Sequence, residues 1–370
     1  MKGMIIWAQS DCRSMMGLYR ALIKALDVPV MIAVRDFKAE SQRQKVGFKH
    51  EEFNDIEISV IGEDYEKGLG LLDAHPGFHH LFGAYQNAPT YRRLILEAKR
   101  RGCRVGVLSE SPCVMTYGVK GWVKEHIYLP VILKHVIKPV VSVADFIVNL
   151  SGDSTLALQK IGWRTEQIVP FGYFPPPIIG SKIVQRLHNH DFHILVTGIM
   201  TWHRAPDVVM KSLILLKRWG VKFRATFTQD GPMLGMLKRM ASENDLPVSF
   251  PGFVPMENLI KLYETCSVYV AAGRREPWGM RLNDALQCGA PLVVSRGMGG
   301  VQLVDEYGCG VAFGADDYLE LAHKLRSLIE NGAKYENVCS DAIAAAQYIL
   351  PDVKARYLIR TLSSRFAGWF

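Results

Sequence analysis

The sequence is first narrowed by what it lacks. Its seven cysteines (Cys12, Cys103, Cys113, Cys266, Cys288, Cys309 and Cys339) are scattered, odd in number and form no CxxC pair. That pattern argues against a disulfide framework and against a zinc site, and for reduced thiols. No apolar run approaches the ~20 residues of a membrane span. Met4-Ile-Ile-Trp7 is too short for the apolar core of a secretory signal, and Asp11 and Arg13 follow it closely. These absences lead us to expect a cytoplasmic protein. No zinc-finger or RNP pattern supports nucleic-acid binding. What is present is a chain of 370 residues, 49% hydrophobic, with a formal charge of +8. The length suggests about two domains with ample core. The charge implies an anionic partner such as nucleotide phosphate, anionic lipid or nucleic acid.

Apolar runs alternate with helical patterns along the whole chain, which argues for parallel α/β sheets. In the first half, strands are expected at 3–9, 28–34, 56–61, 80–83 and 104–108. Helices are expected at 15–26 and 89–101, with residues 10–17 as the first strand-to-helix loop. The charged stretch 37–55 carries no assignable element. Residues 117–138 mix aromatic and aliphatic side chains with Lys120, Lys124, Lys134 and Lys138. Two readings stand: a core-facing helix with solvated lysines, broken at Pro130, or a segment resting on an anionic membrane. The apolar stripe favours the core. Tyr173-Phe-Pro-Pro-Pro177 is a stiff, proline-rich connection.

The second half alternates more cleanly, and its most informative stretch is GRREPWGMRLNDALQCGAPLVVS, residues 273–295. A strand at 268–272 leads into a charged loop that ends at Gly279. A short helix, 280–288, is stopped by Gly289 and Pro291. Glu276 lies in the loop and Asp284 eight residues on. In an open parallel sheet such loops form the ligand crevice, and helix starts there present free N–H groups to anions. A loop acid beside that amide cluster suits a ligand that is part polyol and part phosphate.

The segment resembles the E-x7-E signature of retaining GT-B glycosyltransferases, especially glycosyltransferase family 4. That family has a Glu-(Gly/Pro)-Phe-Gly loop and a second Glu eight residues on. Here the residues are Glu276-Pro277-Trp278-Gly279 and Asp284. Three other points fall in the family's order. In Thr197-Gly-Ile-Met-Thr-Trp-His-Arg204, Arg204 matches the family's Lys while Ile199 stands at its Arg, leaving Arg275, His203 or Arg281 to compensate. Asp230-Gly231-Pro232 matches a Gly-x-Gly-Pro turn. Pro251-Gly252-Phe253-Val254 matches a segment whose backbone meets the nucleobase.

The resemblance implies an α/β chain of GT-B fold, with two Rossmann-like doubly wound domains facing a central cleft. An acceptor-binding domain would span 1–174 and a nucleotide-sugar-binding domain 175–350, with 351–370 returning to the first. The implied activity is retaining transfer from a UDP- or GDP-sugar to a glycan or lipid-linked acceptor in bacterial-type cell-surface polysaccharide synthesis. No metal or cofactor is implied, and the implied location is the cytoplasm, peripheral on the membrane. By carry-over, Glu276 orients the donor sugar, Arg204 serves the diphosphate and Asp284 takes the ribose hydroxyls. Gly279, Trp278, Met280, Arg275, Val254 and Gly231 complete the donor site. Gly17 joins them, where the family often has a Gly-Gly pair. Tyr85, Asn87 and Glu110, on loops after strands, are the acceptor candidates. Alternatives are a GT-B epimerase or phosphorylase, and a non-enzymatic two-lobed nucleotide- or sugar-binding protein.

Overall fold

A computed structural model describes residues 2–10, 13–36, 56–83, 85–188 and 191–370. The chain forms two units, Met1–Pro176 together with Leu350–Phe370, and Pro177–Ile349. The first holds a seven-stranded sheet of β1 (Met4–Ser10), β2 (Val30–Asp36), β3 (Ile58–Val60), β4 (His79–Gly83), β5 (Val105–Ser109), β6 (Phe146–Asn149) and β7 (Ile168–Pro170). Its order is β3-β2-β1-β4-β5-β6-β7, and every pairing is parallel. Parallel strands covered by helices on both faces read as unbroken apolar runs. β1 shows this, with Met4 to Trp7 all fully buried. Trp7 stacks on Phe82 at 4.9 Å and donates its indole N–H to His80 Nδ1 at 3.2 Å.

The terminal segment completes this unit. Helix Pro351–Arg365 packs on helix Arg13–Ala25. Trp369 is fully buried, 4.6 Å from Phe146 between ring centroids, and donates to the Asp145 carboxylate at 3.2 Å. Gly106 leaves the room for both rings, since a Cβ there would overlap Phe146 and lie 3.1 Å from Trp369.

Several sequence expectations change here. The expected loop at 10–17 is already helix from Arg13, so Gly17 lies inside a helix. A Cβ on Gly17 would sit 2.5 Å from Pro176 Cδ, so packing accounts for the glycine. Helix Tyr65–Ala74 was not foreseen; its signal is Asp64, which caps it by accepting from the Glu66 and Lys67 N–H groups at 3.0 and 3.1 Å. Residues 37–55 lie outside the described residues.

The expected break at Pro130 is absent. Gly118–Val143 is one helix, π-helical over Lys124–Leu133. In an α-helix the proline ring would strike the carbonyl four residues back and leave it unbonded. The wider π turn shifts the acceptor by one residue, and the Lys134 N–H accordingly reaches the Leu129 carbonyl. The core reading also fails, because most of this helix is exposed. By length and composition it is apolar enough to cross a membrane, its most apolar 18-residue stretch having a mean hydropathy of 1.3, contrary to the absence read from the sequence.

The second unit holds β8 (His193–Val196), β9 (Arg224–Thr228), β10 (Val248–Gly252), β11 (Val268–Ala271), β12 (Leu292–Ser295) and β13 (Gly310–Phe313). Their parallel order is β10-β9-β8-β11-β12-β13. The order reverses between β8 and β11, and loops leaving such a switch point diverge and open a crevice at the carboxyl edge.

Candidate active site

The motif residues lie on that edge. From β8 the chain passes through the turn Trp202–Arg204 into helix Pro206–Arg218. From β11 it passes through residues 273–279 into helix Met280–Gln287. Backbone bonds tie these loops to their neighbours. The Met200 N–H donates to the Asp230 carbonyl at 3.0 Å and the Gln229 N–H to that of Gly252 at 2.6 Å. The Arg274 N–H reaches the His203 carbonyl at 2.8 Å, and the Glu276 N–H that of Gly297 at 3.1 Å. The four motif points therefore share one rim. Its glycines are forced by close approach: a Cβ on Gly231 would lie 2.5 Å from the Met200 oxygen, and one on Gly300 2.6 Å from that of Trp278.

Arg204 and Glu276 face each other on this rim, Nη2 to Oε1 at 4.0 Å, with side chains 34% and 20% exposed. The Arg204 guanidinium lies where a Cβ on Gly198 would be, and Gly198 has a φ of +116°. Ala205, next in the chain, is buried with a φ of +51°. A non-glycine residue in the left-handed region stores strain that its surroundings must hold. Arg274 supplies part of that hold. Its guanidinium forks onto the Asp207 carboxylate at 3.0 and 2.7 Å, donates to the Trp202 carbonyl at 2.6 Å, and pairs with Asp316. Sequence reasoning missed Arg274. Its partners lie 67 and 42 residues away, beyond any local pattern.

Asp284 stands on helix Met280–Gln287, 4% exposed. Arg281 precedes it by three residues and so shares its helix face. The Arg281 Nη1 lies 3.5 Å from the Tyr263 hydroxyl, and the Tyr263 and Tyr269 hydroxyls both reach Thr197 Oγ1, at 3.2 and 3.1 Å. Burial works against the Arg281 charge, but Tyr263, Tyr269 and Asp284 outweigh it and its pKa stays raised. Burial pushes the Tyr263 phenol up to about 12, so it remains a neutral hydrogen-bonding group. His203 is no substitute cation, because burial and Arg204 lower its pKa below the ordinary imidazole value. Ile199, at the family's Arg position, is 43% exposed, and Arg275 is exposed. Arg281 is thus the candidate that shares a face with the second acid.

Of the remaining candidates, Gly279 caps the same helix with a φ of +99°, while Met280, Val254 and Gly231 are half-buried on the rim. Trp278 needs correction: it is 2% exposed, and its indole N–H donates to Asn283 Oδ1 at 2.8 Å, so the ring braces the loop. Tyr85 also needs correction. It is fully buried, accepts from Trp163 Nε1 at 2.9 Å, and has its phenol pKa raised by burial. Asn87 and Glu110 are exposed in the first unit, and the Glu110 carboxylate accepts from the Tyr173 hydroxyl at 2.9 Å. Among the described residues, no group of three or more His, Cys, Asp or Glu side chains could hold a metal ion.

Residues 182–345, inside the second unit, match the family described as glycosyl transferases group 1. The fold is GT-B. The group 1 segment covers the whole rim from Thr197 to Gly300. A GDP-mannose-dependent alpha-(1-6)-phosphatidylinositol dimannoside mannosyltransferase of Mycobacterium tuberculosis is 26% identical over 205 residues, 53% of this chain and 52% of that protein. The chain therefore spans about half the length of the curated relatives it matches. Among solved GT-B structures, HepE of Anabaena in complex with UDP aligns with a TM-score of 0.67 at 15% identity, over 98% of this chain and 100% of that one. The lipopolysaccharide outer core galactosyltransferase WaaB, in its apo form, aligns with a TM-score of 0.68 at 9% identity, over 98% and 100%. At such identities the likeness is one of fold.

Proposed function

We propose that this chain transfers a sugar, with retention of configuration, from a UDP- or GDP-sugar to a glycan or glycolipid acceptor in cell-surface polysaccharide synthesis. The observation that carries the reading is the bonded rim at the β8/β11 switch point, where Arg204, Glu276 and Asp284 occur together. The curated relative is named for GDP-mannose and the HepE structure holds UDP, which supports a nucleotide diphosphate donor without fixing its base. Asp284 accepts the two vicinal ribose hydroxyls as a pair. Arg204 and the first N–H groups of helix Met280–Gln287 meet the diphosphate, whose charge grows as the glycosidic bond breaks. Glu276 accepts hydroxyls of the donor sugar and orients it, with Arg204 beside it at 4.0 Å. Front-face attack by the acceptor, with the leaving phosphate as base, needs no protein nucleophile. Asn87 and Glu110 stand for the acceptor side. The place of work is the cytoplasm, peripheral on the inner face of the cytoplasmic membrane, in keeping with the charge of +8.

The test is a thermal-shift screen of UDP, GDP, ADP and their sugars, followed by turnover of the stabilising donor with glycan and glycolipid acceptors. One nucleotide series should stabilise the protein, and the product should keep the donor's anomeric configuration by NMR. Epimerisation without an acceptor, phosphorolysis by inorganic phosphate, or binding without even slow donor hydrolysis would each replace this reading.

A further inference from the structure

Among the described residues, large apolar side chains that remain exposed are concentrated in one place: ten of them fall between Met115 and Val136. The helix geometry explains how they form a surface. The segment is α-helical over Gly118–Val123 and Lys134–Val143 and π-helical between, and in both forms residues four apart stay on one side of the helix. One such line, Leu129, Leu133 and Ile137, faces the unit's core and is half-buried or buried. A second line, Val119, Val123, Ile127 and Val131, faces outward and is 80%, 41%, 43% and 61% exposed. Trp122 and Tyr128, 57% and 38% exposed, flank it. The Trp122 ring is held by a stacked His126 at 5.0 Å, which in turn bonds the Trp122 carbonyl through Nδ1 at 3.0 Å. Lys120, Lys124, Lys134 and Lys138 are exposed along the same helix. Glu125, the single acid in it, is only half-exposed.

We infer that Gly118–Val143 docks this protein on an anionic lipid bilayer, lying in the plane of the surface with the Val119–Val131 line inserted among the acyl chains and the lysines at the headgroups. An aromatic and aliphatic ridge flanked by lysines is the composition of an interfacial helix. Tyr and Trp suit the boundary, with an apolar body and a polar tip. The helix does not cross. Leu133, Ile137 and Val140 are 4%, 0% and 1% exposed in the first unit's core and hold it along the surface. Four lysines spread over its length would also have to enter hydrocarbon. A second copy is the poorer occupant, because a self-complementary contact would bring eight like charges together around the ridge.

The experiment is sedimentation of the full chain with vesicles of phosphatidylcholine alone and mixed with phosphatidylglycerol, at low salt and at 0.5 M salt. Wild-type protein should bind the mixed vesicles, and a fraction should survive high salt because insertion is not screened. Ile127→Glu with Val131→Glu should abolish the salt-resistant fraction, lowering partitioning at least tenfold. Glutamine at all four lysine positions should lower binding to the anionic vesicles about a hundredfold or more. Ile127 and Val131 are exposed, so these variants should melt as wild type does, which separates lost docking from lost folding. Nucleotide affinity should be unchanged, so failure here is distinct from failure of the sugar-transfer reading. Two results overturn the inference. One is wild-type vesicle binding that ignores the glutamates. The other is absence of vesicle binding with a dimer in ultracentrifugation that the glutamates dissociate.

Discussion

The two units place their unusual features differently on the same parallel design. The second keeps them at its carboxyl edge: Arg281, with its pKa raised, on the helix face of Asp284, a left-handed alanine at 205, and the Arg274–Asp207 fork. Its loops from β9 round to β12 are bonded backbone to backbone. The first unit places its departures outward, on the apolar side of Gly118–Val143, and anchors its edge with a clasp from the other end of the chain. The difference shows that a bonded rim constrains residue type position by position. An exposed helix face constrains only composition.

The largest expected effect breaks the comparison from the first unit's side. Trp369→Ala empties a fully buried site beside Phe146 and removes one of the donors to the Asp145 carboxylate, which keeps Lys99 and the Val105 N–H. It should cost about 3–5 kcal/mol of first-unit stability in chemical denaturation. Nucleotide affinity should stay within twofold at temperatures where the fold persists. A matching loss of affinity would mean that the clasp supports the rim as well.

Next in size is the division between the two acids. Asp284→Ala should weaken free nucleoside diphosphate binding by about 10- to 150-fold, the equivalent of roughly 1.5–3 kcal/mol for a charged hydrogen bond. Glu276→Ala should leave that affinity alone and slow transfer, since only the donor carries the sugar. Calorimetry that finds wild-type diphosphate binding in the Asp284 variant would remove the ribose assignment.

Acid sharpens the comparison at a smaller scale. Burial first, and then His79, hold His80 in the first unit down to about 3; burial, and then Arg224, hold His193 in the second at about 4. Each has one ring nitrogen buried without a hydrogen-bond partner. Both folded values lie below the unfolded ~6.5, so the unfolded chain binds protons that the folded one refuses. Their contribution is complete above about pH 6.5 and is lost as pH falls toward the folded values, by up to ~1.4 kcal/mol per unit for each group. Replacing either histidine with glutamine should flatten stability between pH 6.5 and 5 by about 2 kcal/mol. An unchanged slope would show that other groups carry the acid response.

The smallest expected effect is at Ala205. Ala205→Gly relieves a left-handed φ of +51° and adds chain entropy to the unfolded state. Its stability should move by less than about 1 kcal/mol. Ala205→Val should destabilise clearly, because a β-branched side chain at that φ also overfills a buried position. Equal melting temperatures for valine and alanine would mean that the turn does not hold this conformation in solution.

How legible these features were follows the same division. Alternation of short apolar runs with helical patterns located most strands of the first sheet, because a strand covered on both faces must be apolar throughout. The rim was legible as spacing, since Gly231 and Gly279 mark places where backbone or φ admits nothing larger. Burial was not legible. Trp278 and Tyr85 sit in motifs or loops that suggest ligand contact, yet their partners Asn283 and Trp163 draw them inward. The unbroken helix over Pro130 was hidden for a different reason: a π turn evades the rule that proline ends a helix.

The clasp by Leu350–Phe370 also makes the second unit an insertion within the first, and this sets an order of events during synthesis. At ~5–20 residues per second the ribosome needs roughly ten to thirty seconds to travel from the Pro176 junction to Leu350. Through that interval the first unit lacks the helix that covers Arg13–Ala25 and the tryptophan that fills the space beside Phe146. The inserted unit is already continuous once residue 349 has emerged. It is therefore placed to fold ahead of the unit whose synthesis began first, so the nascent chain matures from the inside outward.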